Sequence, residues 1–542
     1  MKAEIRYETV GAAVDEAASC WGEETGWIFE DRRISFREMR DASDEIARAL
    51  LAQGIGKGDF VAVLMPNLAE FLFILFGCAK IGAVLTALNT RSRLFEIEHV
   101  LRHSGAKLLI MVERFLKQDY MLMLEELCGA GAIGTGGTVN SAAFPRLRRL
   151  VRATDEGARS LMSWSAFRAQ AESVPQERLA TARESLNWRD PVLLQYTSGT
   201  TARPKGALLN HVYLLNHSVE LFDRLGMRRG EAFLSTQPLY HIGGAAVVVA
   251  PLSVDCPVVV PEYYEAERVL ALIERERCVG RSGFAAMYIM ELAHPRFREF
   301  DLSSLRAGWC VAAPEIMARV RDEMGISQLI QLYGSTEAGN VFGSYADPWE
   351  KRSRSCGRVD ASHMELQIRD AATGAPVPPG QVGEILFRGW CTFNGYLNQP
   401  DETAKIVEPD GWVHTGDLGA LDEDGYLYFR GRLKNMLRVG GENVSAEEVE
   451  AMLLSHSKIK MAAVIGAPDP RLGEVVMAIV ELREGESASE QEIIDYCAAR
   501  MANFRVPRIV RFTRDWPLTG SGKIQTHVLR EHYLGETAPR PG

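Results

Sequence analysis

The chain has 542 residues, more than a single hydrophobic core usually supports, so two or more domains are expected. Hydrophobic residues make up 46% and charged residues 24%, a balance that argues against a disordered chain. The net charge of -10 argues against a general nucleic-acid-binding surface. It does not exclude an anionic small ligand, because phosphates are bound by local donors.

The cysteines and the N-terminus indicate the cellular compartment in which the protein resides. The nine cysteines are scattered and contain no CxxC pair, a pattern typical of buried free thiols in a reducing environment. The first residues, MKAEIRYETVGAAVDEAAS, are acidic and lack the apolar segment of a signal peptide. The most apolar run, 71–79, is too short to cross a bilayer. We therefore expect a soluble, cytoplasmic protein without a transmembrane segment.

Strand-like apolar runs alternate with helical stretches through most of the chain. Strands are predicted at 60–65, 106–112 and 256–261, and a helix is predicted near 68–80. A further helix is predicted from the spacing of Val269, Leu270 and Ile273. The alternation predicts an α/β fold with mostly parallel strands. The Gly- and Ala-rich stretch 126–146 is predicted to be an exposed excursion.

The pattern changes from about residue 374, where Gly- and Pro-marked turns between short alternating runs predict a β-rich subdomain. Further on, Ser445 and Glu448 form a predicted capping box at the start of a helix. The strands and helix that follow predict a small α+β domain. The predicted organisation is a large N-terminal domain over 1–430, a hinge at 431–435 and a small, mobile C-terminal domain over 436–542.

Residues 196–206 read YTSGTTARPKG and follow a predicted strand. Hydroxyls, backbone N–H groups and a lysine in such a turn can bind phosphate oxygens. The segment is not a Walker loop, and neither is TGSGKI at 519–524, because the required spacing of glycine, lysine and hydroxyl residue is missing. A polar surface turn would account for any short fragment of 196–206, but it accounts poorly for the complete segment.

Other segments of distinctive composition follow in order: PLYHIGG (238–244), QLYGSTEAG (331–339), WVHTGDLG (412–419), GRLKNMLRVGGENVSAEEVE (431–450) and PLTGSGKI (517–524). Together with YTSGTTARPKG, they resemble the motifs of the adenylate-forming superfamily. That superfamily includes acyl-CoA synthetases, nonribosomal adenylation domains and beetle luciferases. The resemblance covers nearly the whole chain.

The resemblance implies a two-step reaction. A carboxylate attacks the α-phosphate of ATP to give an acyl adenylate, and the thiolate of coenzyme A then attacks its carbonyl. Both first reactants are anionic, so positioning and charge neutralisation dominate catalysis. The implied catalytic residues are Lys523, which bridges the two reactants, Thr336, which donates to the α-phosphate, and Glu337, which holds Mg²⁺. Taken alone, a Lys or Glu of this kind is usually solvated.

The nucleotide site is implied in the same way. Asp417 would accept the ribose hydroxyls with Arg432 beside it, although a lone Asp before Leu-Gly is usually a turn residue. Tyr333 would stack on adenine. The other implied ATP/AMP-binding residues are Thr197, Ser198, Gly199, Thr200, Thr201, Lys205, Ala312, Ala313, Pro314, Gly334 and Ser335.

The resemblance of the C-terminal motifs also implies which molecule accepts the acyl group. Gly440 and Gly441 resemble the loop that lines the pantetheine tunnel of acyl-CoA synthetases, and the small domain would swing about Lys434 between the two steps. No carrier-protein domain is expected after Gly542, so coenzyme A is the expected acceptor.

The implied acyl pocket contains Tyr240, His241, Trp309, Val311 and Gly339. His241, also counted among the candidate catalytic residues, is interpreted as a gate and not as a base; the alternative is a satisfied core histidine. No acidic residue stands in PLYHIGG to bind a substrate ammonium, which favours a plain carboxylic acid. Trp309 and Val311 would narrow the pocket toward a short, medium-chain, cyclic or aromatic acid, unless Trp309 points into the core.

Several alternatives stay open at this point. The chain could be a stand-alone adenylating or luciferase-like enzyme with another acceptor, or a nucleotide-binding protein without catalysis. The expected partners are a small acid and coenzyme A, with no nucleic acid, and a homodimer is left open. Ala202 stands where relatives usually have glycine, which costs on the order of 1 kcal/mol if the backbone there has positive φ.

Overall fold

The computed structural model describes residues 6–155, 157, 160–197, 204–361, 363–433, 436–439, 442–518 and 524–535. The chain forms two compact units, one of residues 1–366 with 387–413 and one of residues 367–386 with 414–542. This division falls before the connector 431–435, whose role as a hinge stays a prediction. The α/β class is confirmed by the sheets and helices described below.

The α-helices of the first unit are α1 (Val10–Trp21), α2 (Phe36–Ala52), α3 (Ala69–Ile81), α4 (Leu94–Ser104), α5 (Tyr120–Cys128), α6 (Trp164–Ala169), α7 (Gln176–Glu184), α8 (His211–Arg224), α9 (Ile242–Ala245), α10 (Pro251–Val254), α11 (Ala266–Glu276), α12 (Ala285–Leu292), α13 (Pro314–Met324), α14 (Trp349–Arg354) and α15 (Pro400–Ala404). Those of the second unit are α16 (Ala446–Leu454), α17 (Glu490–Ala498) and α18 (Thr526–Leu534).

The strands up to residue 342 are β1 (Thr25–Phe29), β2 (Arg32–Ser35), β3 (Phe60–Leu64), β4 (Val84–Ala87), β5 (Leu108–Met111), β6 (Arg114–Phe115), β7 (Gln118–Asp119), β8 (Arg149–Arg152), β9 (Pro191–Thr197), β10 (Lys205–Asn210), β11 (Phe233–Leu234), β12 (Val258–Val260), β13 (Gly280–Phe284), β14 (Ala307–Val311), β15 (Gln328–Ile330), β16 (Leu332–Gly334) and β17 (Asn340–Phe342). The later strands are β18 (Met364–Arg369), β19 (Gly383–Gly389), β20 (Val413–Leu421), β21 (Leu427–Arg432), β22 (Met436–Val439), β23 (Glu442–Ser445), β24 (Ile459–Asp469), β25 (Gly473–Leu482) and β26 (Ile509–Phe512).

Two large sheets organise the first unit. One has the order β10-β9-β4-β3-β5-β8, and the other has the order β15-β14-β13-β11-β12-β1-β2. Their pairs are parallel apart from β9 with β10 and β1 with β2. Strands buried on both faces read as continuous apolar runs, which is why 60–65, 106–112 and 256–261 could be predicted as strands.

The apolar run 71–79 lies in α3, where all residues except Glu70 are buried. The helix ends at Gly82, whose left-handed φ of 71° and N–H bond to the Cys78 carbonyl are those of a glycine cap. The interpretation of this run as a buried helix is therefore confirmed. Among the described residues, no helix combines the length and hydropathy that a membrane crossing requires.

The Gly- and Ala-rich stretch 126–146 is not wholly exposed, so that prediction is wrong in part. Phe144 is buried, and Gly137 packs against the chain at φ 73°. The Gly137 N–H donates to the Ser160 carbonyl at 2.6 Å, and a Cβ on Gly137 would lie 2.0 Å from the Leu150 carbonyl oxygen. Glycine here permits a close backbone approach, which composition alone could not distinguish from an exposed turn.

The second unit contains the parts of β18 to β21 that lie in 367–386 and 414–432, which pair in chain order. Its other sheet has the order β23-β22-β25-β24, with β26 beside β25. The predicted capping box at α16 is half formed: the Ser445 hydroxyl accepts from the Glu448 N–H at 3.3 Å, but the Glu448 carboxylate binds Arg505. The ion pair with Arg505 is a tertiary contact, which the local capping pattern cannot predict.

Candidate active site

The predicted phosphate segment connects two paired strand ends. Strands β9 and β10 are antiparallel, with Thr197 opposite Lys205. Ser198, Gly199, Thr200, Thr201 and Ala202 lie outside the described residues, so the roles predicted for them stay predictions. The structure therefore places only the two ends of the segment, Thr197 and Lys205.

Glu337 lies beside one of these ends. The Thr197 hydroxyl donates to Oε1 of Glu337 at 3.0 Å, and the Tyr396 hydroxyl donates to the same oxygen at 3.0 Å. Burial, followed by the Glu337 charge, raises the pKa of Tyr396, so its hydroxyl remains a donor at neutral pH. The predicted metal-binding carboxylate is thus fixed beside the phosphate segment by two hydroxyls.

The segment 335–340 that carries Thr336 and Glu337 rests on α8. The Tyr213 hydroxyl donates to the Ser335 carbonyl at 3.1 Å, and the Asn340 amide donates to Nδ1 of His217 at 2.7 Å. Tyr213 and His217 are one helical turn apart, with ring centroids 6.4 Å apart. Sequence reasoning missed both residues, although their i, i+4 spacing after β10 was a signal for a shared face.

Two glycines of this region permit close packing. Gly339 has φ 75°, and a Cβ there would lie 2.7 Å from Sγ of Cys391. A Cβ on Gly334 would lie 2.2 Å from the Asn340 side-chain oxygen. The positive φ and the nearby Cys391 sulfur therefore explain why a glycine stands at Gly339. The predicted contact of Gly339 with the acyl substrate stays a prediction.

The residues predicted around adenine follow β14 or lie within β16. Tyr333 is buried, and its ring stacks on Phe387 at 6.0 Å with an interplanar angle of 6°. Ala313 caps α13, and Pro314 occupies its first turn, where a missing N–H costs nothing. Ala312 and Ala313 are partly buried. Adenine binding by these residues stays a prediction.

Lys205 has a protein partner. Its ammonium forms an ion pair with Glu402 and lies 5.1 Å from the centroid of the Tyr396 ring. The hydrogen bond from Lys205, followed by that from Lys405, lowers the pKa of Glu402 to about 2. A phosphate that binds Lys205 must therefore compete with the Glu402 carboxylate.

His241 has a structural role in its own loop. Its Nδ1 accepts from the Gly243 N–H at 3.2 Å and caps α9. A nitrogen that accepts this bond carries no proton. The interpretation of His241 as a gate and not a base stays a prediction. The Tyr240 carbonyl accepts from the Gln195 amide at 3.3 Å. Whether these residues form a gate stays a prediction.

Trp309 lies in β14 on the opposite sheet face from Cys310, since successive side chains alternate along a strand. Cys310 packs with residues of α11, α12 and α13. Trp309 is 4% exposed and contacts Phe284 edge-on at 5.4 Å, while its indole Nε1 is buried without a hydrogen-bond partner among the described residues. Val311 is 40% exposed. Their place in an acyl pocket stays a prediction.

The second unit holds the predicted ribose pair. Asp417 in β20 stands directly opposite Arg432 in β21, and Nε of Arg432 lies 3.3 Å from Oδ1 of Asp417. Asp417 is 5% exposed. The Asp417 N–H donates to the Thr415 hydroxyl at 3.0 Å, which fixes the turn before the carboxylate. The predicted proximity of Asp417 and Arg432 is confirmed, and ribose binding by the pair stays a prediction.

Besides the phosphate-segment residues, four further predicted residues lie outside the part of the chain that the structure describes. They are the catalytic candidate Lys523, the hinge residue Lys434, and the tunnel residues Gly440 and Gly441. Their predicted roles are unchanged by the structure.

Two family models match the chain, AMP-binding enzyme over residues 14–397 and AMP-binding enzyme C-terminal domain over residues 448–523. The chain belongs to the AMP-binding enzyme family. A protein of Bacillus subtilis (strain 168) named "Putative acyl-CoA synthetase YngI" is 33% identical to this AMP-binding enzyme over 537 residues, 98% of each chain. The Danio rerio protein named medium-chain acyl-CoA ligase ACSF2, mitochondrial, is 33% identical over 92% of this chain and 84% of its own.

Among solved structures, that of the anthranilate CoA ligase AuaEII in complex with anthranoyl-AMP matches this AMP-binding enzyme with a TM-score of 0.82. The two chains are 26% identical, and the match covers 97% of this chain and 98% of the other. The predicted superfamily and fold are therefore confirmed over nearly the full length.

Proposed function

We propose that this AMP-forming acid–CoA ligase acts on a short- or medium-chain, cyclic or aromatic carboxylic acid without an α-amino group. The observation that carries the catalytic assignment is the Glu337 carboxylate, fixed by the Thr197 and Tyr396 hydroxyls at 3.0 Å each. A carboxylate held in this way beside a hydroxyl-rich segment suits a metal–triphosphate complex better than it suits a surface turn.

The reaction has two steps. An oxygen of the acid attacks the α-phosphorus of ATP, and pyrophosphate leaves with the electron pair of the broken P–O bond. The thiolate of coenzyme A then attacks the acyl carbonyl, and AMP leaves, so that acid, ATP and coenzyme A give acyl-CoA, AMP and pyrophosphate. Lys523 and Thr336 would stabilise the charge that develops at the α-phosphate in the first step.

Magnesium fits the residues present. Among the described residues no group of three or more His, Cys, Asp or Glu side chains could hold a metal by itself. Mg²⁺ is commonly bound by one or two carboxylates together with substrate phosphates, and Glu337 supplies such a carboxylate. When bound, the ion would neutralise charge on the phosphates.

The acid preference rests on Trp309 and Val311, which stand in a strand whose end leads to Ala312 and Ala313. The family resemblance places Val311 where relatives often have glycine, and a valine side chain leaves less room than glycine would. Relatives named as a medium-chain acyl-CoA ligase and an anthranilate CoA ligase support the proposed size range. A series of acids of increasing chain length, measured by CoA-dependent AMP formation, tests it. Best turnover with palmitate-length acids would contradict the proposal.

Lys523→Ala tests the assignment of the two steps. We expect it to abolish acid-dependent pyrophosphate release while thioester formation from supplied acyl adenylate continues, because the lysine is needed only in the first step. An equal loss of both steps would contradict the swing about Lys434. A full reaction that proceeds without coenzyme A would favour a stand-alone adenylating enzyme.

The cellular location and the oligomeric state of the enzyme are two further proposals. We propose a cytoplasmic enzyme, although several relatives are named as mitochondrial. Subcellular fractionation and the molar mass of the purified enzyme in solution test location and a homodimer, respectively.

A further inference from the structure

The indole nitrogen of Trp309 is a hydrogen-bond donor that the described part of the chain leaves unused. Trp309 is 4% exposed, and its Nε1 is buried and has no hydrogen-bond partner among the described residues. Buried polar groups of folded proteins nearly always have a partner, so an unpaired donor calls for one that the described chain does not supply. A bound molecule can be such a partner.

Trp309 lies on a sheet face that is open at the ends of its strands. Paired residues of neighbouring strands share a face, so Trp309 shares its face with Ser282, and Val311 shares the same face with Phe284. Phe284 and Val311 are the last residues of β13 and β14, and they are 42% and 40% exposed. In open parallel sheets, ligands bind outside the carboxyl ends of the strands. The unpaired donor therefore lies two residues from the place at which a ligand is expected.

The polar groups that flank Trp309 are bonded elsewhere. The hydroxyl of Ser282, the residue paired with Trp309, accepts from the Thr236 N–H at 3.0 Å, and the Thr236 hydroxyl donates to the Ser282 carbonyl at 2.9 Å. The Tyr288 hydroxyl donates to the Trp309 carbonyl at 3.0 Å, from the face on which Cys310 packs. These bonds fix the strand and leave the indole N–H free to bind an acceptor from outside the protein.

Phe284 is the side chain beside the indole at the open end of this face. Nε1 of Trp309 is closed off from solvent, so a ligand contacts it only when a neighbouring side chain moves. The Phe284 ring meets the indole edge-on, with 5.4 Å between the ring centroids. A partly exposed ring turns at a smaller cost in packing than a core side chain, because it makes fewer contacts. Movement of Phe284 would open the indole to a ligand that enters at the strand ends.

We propose that the acid substrate carries an uncharged hydrogen-bond acceptor, such as a keto or ether oxygen, and that the indole N–H of Trp309 donates to that oxygen. This inference rests on the proposed function, in which Trp309 belongs to the acyl pocket, and it narrows the class of acid.

The chemistry of the donor sets the class of acceptor. One neutral N–H suits an uncharged oxygen, since a buried carboxylate requires a counter-charge or several donors. Folding has already removed water from this N–H, so binding desolvates only the oxygen of the acid and gains the bond. An apolar acid leaves the donor unpaired. The site therefore favours an oxygen-bearing acid over an apolar acid of the same size.

The test compares acids that differ by one acceptor. Octanoate is compared with octanoates that carry one keto group at successive chain positions, and ethylbenzoates are compared with methoxybenzoates. The measured quantity is kcat/KM for CoA-dependent AMP formation. We expect the best oxygen-bearing acid to exceed its apolar counterpart about 5- to 20-fold, the gain of one hydrogen bond to a donor that is already desolvated.

Two variants assign this preference to the indole N–H. Trp309→Phe keeps an aromatic ring and removes the donor, so the ratio of the two acids should fall to about one or below. The smaller ring affects both acids of a pair, and the ratio cancels that effect. Tyr288→Phe is the matched control, since it removes the hydroxyl bond to the Trp309 carbonyl on the other face and should keep the preference.

A binding measurement tests the contact without turnover. The chain has nine tryptophans, so the indole N–H signals in a nitrogen-15 NMR spectrum are few enough to separate. The signal missing from Trp309→Phe, or from Trp309→Met if the phenylalanine variant does not fold, belongs to Trp309. Its proton should shift downfield when the best oxygen-bearing acid is added and should stay in place with the apolar counterpart.

Three outcomes overturn the proposal: a preference that survives in Trp309→Phe, an equal loss of preference in Tyr288→Phe, or an indole signal that shifts alike with both acids. An enzyme that forms AMP from apolar acids at least as well as from every oxygen-bearing acid overturns this proposal and leaves the proposed function standing. An enzyme that forms AMP from no acid of any series overturns both.

Discussion

The two candidate carboxylates, Glu337 and Asp417, are held in different ways. Glu337 stands in a short connection between β16 and β17, and its partners Thr197 and Tyr396 are 140 and 59 residues away. Asp417 stands in a strand, and its partner Arg432 is the residue directly opposite in the next strand. The first carboxylate depends on tertiary packing, whereas the second depends on the register of one hairpin.

This difference determines how many distant residues each carboxylate needs in order to be held in position. A cross-strand pair forms wherever its two strands pair, so Asp417 and Arg432 meet without help from distant residues. Glu337 is positioned only when β9, α8 and the segment before α15 pack together. We therefore expect substitutions around Glu337 to affect activity through several distant positions, and substitutions around Asp417 to act locally.

Glu337→Gln should have the largest effect. The amide keeps the size of the side chain but removes the negative charge, so we expect acid-dependent pyrophosphate release to fall about 100- to 1,000-fold. Pyrophosphate release at saturating ATP and varied Mg²⁺ measures this effect. Tyr396→Phe, which removes one hydroxyl bond and keeps the charge, is the matched variant and should lose less. A Glu337→Gln rate within twofold of wild type would contradict the assignment.

Asp417→Asn should raise the Michaelis constant for ATP about 10- to 100-fold, because a charged acceptor for two ribose hydroxyls is lost. Arg432→Gln is its local control. That side chain is half-exposed, so its ion pair with Asp417 is worth little and the change should be a few-fold at most. Steady-state kinetics with varied ATP distinguish the two. Equal effects would mean that the ion pair, and not the carboxylate, supports nucleotide binding.

Acid should weaken the packing beneath Glu337. Burial lowers the pKa of His217 to about 4, below its ordinary value of about 6.5. The unfolded chain therefore binds a proton that the folded protein does not. The corresponding stability is complete above about pH 6.5 and is lost as pH falls toward 4, by roughly 3 kcal/mol. Urea unfolding between pH 7.5 and 4.5 measures this slope.

His217→Gln should show a smaller loss of stability over the same pH range, because it removes one titrating group. His211, whose pKa burial also lowers to about 4, remains in that variant and accounts for part of the remaining slope. An unchanged slope in His217→Gln would exclude His217 as the source.

Glu402→Gln should have the smallest effect. The change frees the Lys205 ammonium from its ion pair, so we expect the Michaelis constant for ATP to fall about two- to threefold at low salt. Lys405→Gln removes the other partner of Glu402 and should leave the constant unchanged. A rise in Glu402→Gln would mean that Glu402 orients Lys205 toward the phosphates.

Much of the architecture could be predicted from local patterns. The strands at 60–65 and 256–261 and the buried helix over 71–79 follow from periodicity, and the proximity of Asp417 and Arg432 was implied by the family resemblance. The predictions failed where a distant partner intervened. Glu448 binds Arg505 and so leaves its capping box incomplete, and Gly137 packs under the backbone of Leu150 where an exposed turn was expected.

The sequence by itself determined the family, the α/β class and the identity of the chemical groups, because motifs and periodicity are written in neighbouring residues. Only the tertiary structure decided which groups hold them in place. It placed the Thr197 and Tyr396 hydroxyls on Glu337, and Glu402 on Lys205. The physical reason is that these bonds join residues far apart in the chain, and packing of whole sheets and helices brings them within hydrogen-bond distance.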